Sequence, residues 1–425
     1  MKRSTYKTTL TMLLVILAGL LFNAEVQATN GYFSHGYSVQ SKGMAGAGVA
    51  YPQSALAAAS NPAGMVYMGN RFDLVVGLFN PVREYTITGN PSGNEGTFGL
   101  TPGTVESGSK AFVIPAFGMN RMINDKCAIG LSIYGNGGMN TNYPTSTYHL
   151  GSGNTGVNLM QLFIAATVSR YLNKNHSLGV TGIFGYQTFK AEGLSAFEYF
   201  SSNPPKLTNK DTNNSSGFGA RFGYLGTFGG RFRIGASYQT KIRMSEFNEY
   251  AGLFAEQGDF DVPANWTVGI SYDASKYLTL AADVQTIMYS DVNAVGNPMV
   301  PSAFYQGILL GDDDGAGFGW EDMTIFKFGL SWEGLADMPL RFGYSYGEQP
   351  IPESEMMFNI LAPGVIEQHL TFGLTRKLCK GREVSLAITH ALSNSVTGPN
   401  TMEVEDQQEI ELKMHQWEFV LGFAF

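Results

Sequence analysis

The nine residues that end the chain, Trp417 to Phe425, alternate between large apolar side chains and small or polar ones. Because side chains along a β-strand point to opposite faces with a period of two, one face is entirely apolar: Trp417, Phe419, Leu421, Phe423 and Phe425. The other face is mostly polar or small, with valine as the exception: Gln416, Glu418, Val420 and Gly422. A strand with lipid on one side and a watery lumen on the other has this pattern. The ending therefore predicts an all-β transmembrane barrel, although the edge strand of a soluble protein also alternates.

The start of the chain is typical of a secretory signal. A positively charged beginning is followed by an apolar run over residues 10–22, which is too short for a helical membrane span. Val26-Gln27-Ala28 has small residues where a signal peptidase cuts. We therefore predict a signal peptide over residues 1–28 and a mature chain that begins near Thr29. No later stretch has about 18 uninterrupted apolar residues, so we expect no helical spans and place the protein in the bacterial outer membrane.

Glycine and aromatic residues are abundant in this chain, and charged residues are scarce. There are 52 glycines among 425 residues, aromatic side chains make up 13%, and charged side chains make up 15%. Ordinary soluble domains carry about 25% charged residues. A barrel explains the difference, because its outer face is apolar and its interior accepts glycine and small polar groups. The net charge of −8 argues against nucleic acid as a partner.

From Arg71 onward the chain alternates in the manner of about fourteen antiparallel strands, an even number as in bacterial barrels. The predicted spans are 71–88, 109–122, 127–142, 158–172, 177–193, 217–228, 231–245, 265–273, 277–292, 322–333, 339–349, 367–378, 382–397 and 411–425. Short connections such as Gly229-Gly230 alternate with long ones such as 293–321. Short periplasmic turns and long external loops give this rhythm, so residues 71–425 are predicted to form the barrel.

Cys127 and Cys379 are the two cysteines of the chain, and both fall in predicted periplasmic turns. About four strands lie between them around the wall, which amounts to roughly 20 Å at about 4.8 Å per strand. A disulfide needs Cα atoms within about 7 Å of each other. We therefore expect no disulfide.

The residues before the first strand, 29–70, are rich in small side chains and poor in charge, unlike most disordered tails. They contain a glycine-rich stretch at 43–48, an alanine-rich stretch at 55–60 and the sequence Asn61-Pro62-Ala63. Asparagine bonds readily to neighbouring backbone and proline fixes its own φ, so this tripeptide favours one defined conformation. We predict a compact plug, or hatch, inside the lumen; a disordered tail is the alternative.

Alternation also assigns a direction to charged side chains, because a charge that faces mid-bilayer lipid costs about 2–4 kcal/mol. In the predicted seventh strand, 231–245, the apolar residues share one face and the cations share the other. The rule points five cations into the lumen, as candidates for binding a ligand head group by charge-assisted hydrogen bonds: Arg221, Lys241, Arg243, Lys327 and Arg341. Ordinary pairing with a lumenal Glu or Asp is at least as good an interpretation for any one of them.

Several stretches of the sequence resemble the FadL family of outer-membrane transporters for long-chain fatty acids and other hydrophobic compounds. Residues 41–50, followed by Asn61-Pro62-Ala63, are similar to the hatch of that family. Further similarity lies in 263–269, in Trp320-Glu321-Asp322 and in 339–344. The resemblance covers essentially the whole mature chain. It implies a fourteen-stranded barrel closed by a hatch, and passive uptake without a cofactor.

The resemblance also implies a route of external capture, lumenal binding and lateral exit through the barrel wall. Candidates for capture are aromatic and aliphatic residues of the external loops, for which packing among themselves is an equally good interpretation: Phe197, Tyr199, Phe200, Phe247, Tyr250, Leu253 and Phe254. The family's lateral gate falls on the third strand. There Gly135, Gly137 and Gly138 weaken the strand and permit a bulge. The alternative is a glycine-rich strand that packs tightly against the hatch.

The sequence leaves the ligand open between a fatty acid and an aromatic hydrocarbon, since the loop at 194–216 is shorter than in the best-known fatty-acid members. A barrel-embedded lipase and an adhesin or receptor barrel are the alternatives from other classes. The chain has no Gly-x-Ser-x-Gly elbow, and its six histidines lack metal-ligand spacing, so we expect no catalytic residues, metal or cofactor. We expect a monomer in contact with outer-membrane lipid and lipopolysaccharide. The ending at Phe425 resembles the signal that the barrel-assembly machinery recognises.

Overall fold

The computed structural model describes residues 30–148 and 153–425. The predicted signal peptide and the predicted first mature residue, Thr29, lie outside these ranges. Within them the chain forms an antiparallel β-barrel of 14 strands, whose first and last strands pair to close the wall. The predicted fold class is therefore confirmed.

The barrel strands follow one another around the wall in chain order. They are β1 (Arg71–Thr88), β3 (Phe112–Asn124), β4 (Cys127–Asn140), β5 (Gly156–Tyr171), β6 (His176–Glu192), β7 (Asn213–Phe228), β8 (Phe232–Gln239), β10 (Asn265–Ser275), β11 (Leu278–Ile287), β12 (Met323–Trp332), β13 (Leu340–Gly347), β14 (Gln368–Lys377), β15 (Glu383–Pro399) and β16 (Glu409–Ala424). Two short strands extend the ladder, β2 (Gly103–Glu106) on β1 and β9 (Arg243–Met244) on β7.

Helices are short and lie in the residues before β1 and in the connections. The α-helices are α1 (Val39–Lys42), α2 (Ala255–Gly258), α3 (Asn293–Gly296), α4 (Pro301–Tyr305) and α5 (Met356–Asn359). The 3₁₀ helices are Ala55–Ala59, Pro62–Tyr67, Ser195–Phe200, Pro204–Lys206, Asn248–Tyr250, Tyr289–Asp291, Glu353–Glu355 and Cys379–Gly381. Over the described ranges, no helix has the length and apolar character needed to cross a membrane.

The last strand shows how the two faces of the wall differ. Its aromatic and aliphatic side chains are exposed on the outer surface of the barrel: Trp417, Phe419, Leu421, Phe423 and Phe425. Glu418 and Val420 alternate with them and are buried inside. The valine on the polar face therefore packs inside the barrel and does not face lipid. Phe425 closes the seam, because its backbone N–H and C=O both bond to Phe72, at 2.9 and 3.1 Å.

The prediction that Arg243 faces the lumen is wrong, whereas Lys241 belongs to neither strand pairing. The ladder between β7 and β8 pairs Arg221 with Gln239, whereas farther along Gly217 pairs with Met244, so one extra residue has entered the second strand. A one-residue shift exchanges the two faces of a strand. As a result Met244 is buried, while Arg243 is exposed beside an outer-face residue. Lys241 lies 3.5 Å from Asp261.

Cys127 begins β4 and Cys379 lies in the connection between β14 and β15. Both are free thiols, and Cys379 is exposed. The two connections lie at the same end of the barrel as the chain terminus, where the connections are short.

We predict that removing Phe425 reduces the amount of folded barrel in the outer membrane. The deletion takes away two backbone hydrogen bonds at the seam, and unpaired backbone groups in lipid cost several kcal/mol each. Folded protein is measured as the band that migrates faster without boiling on a detergent gel. Phe419→Ala is the control, since it removes an outer-face aromatic from the same strand but leaves the seam intact. Equal folding of the deletion and the control would contradict the prediction.

Candidate functional site

Residues 30–70, hereafter the N-terminal segment, fill the interior of the barrel and bond to its wall on several sides. The backbone N–H groups of Gly48 and Val49 donate to one carboxylate oxygen of Asp283 on β11, at 2.7 and 2.9 Å. The N–H of Ala55 donates to Asp73 on β1, at 2.7 Å. Both carboxylates are buried. Inward-facing acidic residues on distant strands therefore hold the segment by its backbone.

The tripeptide Asn61-Pro62-Ala63 ties two parts of this segment together. The Asn61 side-chain oxygen accepts from the N–H of Ala63 at 3.0 Å and so caps the helix that follows. Its amide nitrogen donates to the C=O of Val49 at 2.7 Å and to the C=O of Tyr224 on β7 at 2.9 Å. A β-carbon at Gly223 would overlap Asn61. The motif thus fixes the segment internally and against β7, which is consistent with the conformation predicted for it.

A buried ion pair joins the N-terminal segment to β16. The Lys42 ammonium lies 2.5 Å from Glu418, and both side chains are at most 6% exposed. Burial lowers the pKa of Lys42, and the adjacent carboxylate opposes part of that shift. The His35 ring stacks on His369 of β14 at 5.4 Å, and burial holds the pKa of His35 well below its ordinary value. The sequence did not predict the Lys42–Glu418 ion pair, although Lys42 is the only Lys or Arg between residues 30 and 70.

An apolar cavity lies beneath the external connections, with a volume of about 30 Å³. Three of the predicted capture residues line it, namely Phe197, Leu253 and Phe254. Its wall has no charged side chain. About 10–15 Å³ already holds one water molecule, whereas ligand pockets measure about 300–1,000 Å³. The cavity is therefore closed by its own side chains in this conformation.

The other capture candidates do not line this cavity. Phe247 and Tyr250 are buried and pack on Phe189, at ring distances of 5.6 and 4.8 Å. Phe200 packs on Phe304 at 4.9 Å. Tyr199 is 87% exposed. For these residues, packing within the loops or exposure to solvent describes the structure better than a shared pocket.

A second cavity, of about 20 Å³, is polar and lies between the N-terminal segment and the wall. Arg221, Lys327, Asn265 and Asp283 line it. The Nη1 atom of Arg221 and the Nδ2 atom of Asn265 are buried, and neither has a hydrogen-bond partner among the described residues. The Lys327 ammonium donates to the C=O of His35 at 3.3 Å. Two of the five predicted cations therefore meet at one place, together with spare buried donors.

Arg341 also points inward, but it is already occupied. Its guanidinium donates to Gln53 of the N-terminal segment at 2.7 Å and to Thr375 on β14 at 2.8 Å. Arg83 on β1 is a further buried cation, which the sequence analysis did not select. It donates to the C=O of Asn140 and of Ser109.

The wall has an interruption between β3 and β4. Their pairing runs from the turn to Phe117 opposite Ile133 and stops there, although β4 continues to Asn140. Beyond that point β4 is bulged between Gly135 and Gly137 in its pairing with β5. A small cavity of about 20 Å³ lies at the break. The three glycines of the sequence prediction thus fall where β4 loses its partner on one side.

The N-terminal segment takes the place of the missing strand partner. The N–H of Ser34 donates to the C=O of Asn136, and the N–H of Gly138 donates to the C=O of Tyr32, both at 2.9 Å. A β-carbon at Gly137 would overlap the backbone of Tyr32. The close approach therefore requires glycine at this position, and the break is covered from inside.

Over residues 30–148 and 153–425, no cluster of three or more His, Cys, Asp and Glu side chains is arranged to hold a metal ion. The arrangement instead provides apolar walls, buried hydrogen-bond donors and an interrupted strand pair, which suit binding and passage of a small molecule.

Comparison with known proteins gives a consistent result. A family model described as outer membrane protein transport protein (OMPP1/FadL/TodX) matches residues 20–424. The structure of the Pseudomonas putida toluene transporter TodX is 18% identical in sequence, with a TM-score of 0.68 over 93% of this chain and 99% of its own. A Pseudomonas aeruginosa FadL homologue is 14% identical, with a TM-score of 0.67 over 93% and 99%.

The Ralstonia pickettii toluene transporter TbuX is 17% identical, with a TM-score of 0.63 over 92% of this chain and 98% of its own. No curated protein sequence matches the chain. At these identities the solved structures share the barrel fold with it.

We predict that Lys42→Met destabilises the folded protein by about 3–5 kcal/mol, because it leaves the buried Glu418 carboxylate without its cation. Lys42→Met with Glu418→Gln should recover part of this loss. Denaturant-induced unfolding in detergent measures both. Lys413→Met is the control, since the Lys413–Glu84 pair is more exposed and contributes about 0–1 kcal/mol. Equal effects of the two single substitutions would contradict the prediction.

Proposed function

Because the chain belongs to the OMPP1/FadL/TodX family of outer membrane transport proteins, we propose that its ligands are long-chain fatty acids. The protein is an outer-membrane barrel for the passage of hydrophobic compounds, and it is not an enzyme. The finer assignment rests on one observation: a buried cation with a spare donor, Arg221, borders a polar cavity inside a barrel whose outer cavity is apolar. A molecule with a carboxylate head and a hydrocarbon tail matches both.

In this proposal Arg221 binds the carboxylate. The Arg221 guanidinium donates to Gln239 through Nη2, whereas its buried Nη1 has no acceptor among the described residues. A buried donor without a partner is costly, and an anion that accepts from Nη1 relieves that cost. Asn265 adds a second donor and Lys327 adds positive charge at the same cavity. Asp283 accepts from the N-terminal segment through one carboxylate oxygen, and the positive charge of Lys327 opposes its negative charge at the cavity. Arg341 is assigned to holding Gln53, and Lys241 and Arg243 have no part in the lumenal site.

The hydrocarbon tail is assigned to the apolar cavity above. Phe254 contacts Phe260 at 4.9 Å between ring centres, and Phe260 contacts Tyr32 of the N-terminal segment at 6.0 Å. A series of ring contacts thus leads from the apolar cavity to the N-terminal segment. Since the apolar cavity holds about 30 Å³, binding requires these rings, or the first residues of the segment, to move apart. Tyr199 at the exposed rim is the first contact for an arriving ligand.

We assign the exit to the break between β3 and β4, with Gly135, Gly137 and Gly138 as the gate and residues 29–70 as the hatch. Residues 32–34 cover the break through the Ser34–Asn136 and Tyr32–Gly138 backbone hydrogen bonds, whereas opening an intact strand pair would leave many backbone groups unpaired in lipid. Displacing these few residues opens a lateral path into the membrane. A ligand that leaves this way avoids the polar lipopolysaccharide layer outside and needs no energy source.

An aromatic hydrocarbon is the second candidate. The apolar cavity has no charged residue in its wall and is lined in part by phenylalanine, which suits a flat uncharged ring. Two of the similar structures, TodX and TbuX, are described as toluene transporters. For such a ligand Arg221 would have no role. The remaining expectations, a monomer assembled by the barrel-assembly machinery in contact with lipopolysaccharide, belong to either candidate.

We predict that Arg221→Gln weakens binding of a long-chain fatty acid by about 10- to 100-fold, since a hydrogen bond to a charged group contributes about 1.5–3 kcal/mol. Binding of the matching fatty alcohol and of toluene should be unchanged. Titration of the detergent-solubilised protein measures all three. Arg233→Gln is the control, because Arg233 also belongs to the inner face but is paired with Asp273. Equal affinity of the unsubstituted protein for acid and alcohol would exclude the carboxylate site, and toluene binding alone would favour the second candidate.

We predict that joining the two sides of the break stops uptake without affecting ligand binding. Ala116 on β3 and Tyr134 on β4 line the small cavity at the break and are suitable positions for cysteines, in a chain whose Cys127 and Cys379 are replaced by serine. A reducible bifunctional thiol reagent should abolish uptake into cells, and reduction should restore it. The control pair is Met119 and Leu131, which are already paired across the same strands. Unchanged uptake with the break cross-linked would exclude this exit.

A further inference from the structure

The outer surface of the barrel carries an apolar groove of about 570 Å³ across β10, β11, β12 and β13. Ala282 lies at its centre, and larger side chains of the outer face surround it: Ile270, Leu280, Phe328 and Phe342. The register explains the groove, because Ala282 is directly opposite Ile270 on one side and Phe328 on the other. One small residue between two large ones leaves a depression in the wall.

The floor of this groove is supported from inside the barrel. Gly329 and Gly343 are paired in neighbouring strands and face the interior behind the groove. A β-carbon on either would overlap Met44 of the N-terminal segment, which is fully buried. The wall is therefore thin here and is packed against the segment without space, so the floor cannot move inward. The depression is a fixed feature of the wall.

The groove lies at the end of the barrel that has the short connections, which is the periplasmic end in barrels of this type. Leu280 is two residues from the start of β11, and Phe342 is two residues from the start of β13. Exposed aromatic side chains at this end, Tyr277 and Trp332, mark the level of the membrane interface. The groove is therefore in the hydrocarbon of the periplasmic leaflet, where its contents must be apolar.

We propose that this groove binds one acyl chain of a glycerophospholipid from the periplasmic leaflet, at a site separate from the transport route. Its volume lies within the range of about 300–1,000 Å³ typical of ligand pockets, and its wall is apolar and aromatic. The Lys276 ammonium, 4.6 Å from the Tyr277 ring, lies in the connection between β10 and β11 below the groove. It is the cation for the lipid phosphate. Glu333 in the next periplasmic connection is already paired with Lys377, at 3.1 Å.

This arrangement makes the lipid an anionic one, because a basic residue near a membrane surface attracts anionic head groups. The lipid would pack against the wall directly outside Met44 and so stabilise the part of the barrel that holds residues 43–46. The site faces the bilayer and is separated from the lumen by the wall, so it is independent of the ligand assigned to the interior.

Native mass spectrometry of the protein in mild detergent, mixed with phosphatidylglycerol, tests the proposal. We expect one tightly retained lipid, and at least tenfold weaker binding of that lipid in Ala282→Leu, which fills the groove. Ala166→Leu is the matched control, since it adds the same bulk to the outer face of β5, away from the groove, and should bind as before. Lys276→Gln should remove the preference for phosphatidylglycerol over phosphatidylcholine but leave acyl-chain binding.

Two measurements separate the groove from the transport route. Heat-dependent migration on a gel verifies that each variant is folded, and fatty-acid uptake should be the same for Ala282→Leu and Ala166→Leu. Equal lipid retention by these two variants would overturn the proposal. So would loss of uptake in folded Ala282→Leu, or displacement of the retained phospholipid by free fatty acid or lipopolysaccharide at equal concentration.

Discussion

Every backbone N–H and C=O in the wall of this protein needs a partner, because hydrocarbon supplies none. The pairing of β1 with β16 closes the sheet, so that the first and last strands have no free edge along this seam. The paired residues run from Asp73 opposite Ala424 to Thr88 opposite Glu409. The break between β3 and β4 interrupts this pairing, and residues 32–34 bond there from inside to the free edge of β4. The position of the N-terminal segment is therefore a consequence of backbone hydrogen bonding as much as of side-chain packing.

The segment is held by a small number of strong contacts. Asp73, Asp283 and Glu418 are buried carboxylates on three different strands, and each bonds to the segment through an N–H or an ammonium. Glycines in the wall permit the backbone of the segment to approach closely, as at Gly137 and Gly343. Carboxylates and close backbone packing hold most of the segment. Residues 32–34, in contrast, are held by backbone hydrogen bonds and aromatic contacts. In the proposed route, the part held by carboxylates is the anchor and residues 32–34 are the part that moves.

Much of the fold follows from the sequence, because strand alternation and turn composition are local. The predicted span 71–88 agrees with β1 in full, and most other predicted ends are a few residues from the observed ones. The direction of Arg221, Lys327 and Arg341 also follows from alternation. The error at Arg243 came from one added residue, which reverses the faces of the strand without any mark in the apolar pattern.

The contents of the lumen were less predictable, since they depend on contacts between residues far apart in the chain. Lys42 and Glu418 are separated by 376 positions, and neither residue has a neighbour that identifies the other. The aromatic residues of the loops presented the same problem. Phe197 and Phe247 have similar surroundings in the sequence, but only Phe197 lines the apolar cavity. Composition indicates that the loop side chains are apolar and aromatic, whereas their packing in the fold decides which of them line a cavity.

The attachment of the segment to both β1 and β16 has a consequence for how the protein is made. Asp73 belongs to the first strand and Glu418 to the last, and both are occupied by residues that precede every strand in the chain. A barrel that closed its seam first would have to admit some forty residues through a lumen already crowded by inward side chains. We therefore expect the segment to be in place when the seam closes. The N-terminal segment would then serve as a template on which β16 pairs with β1.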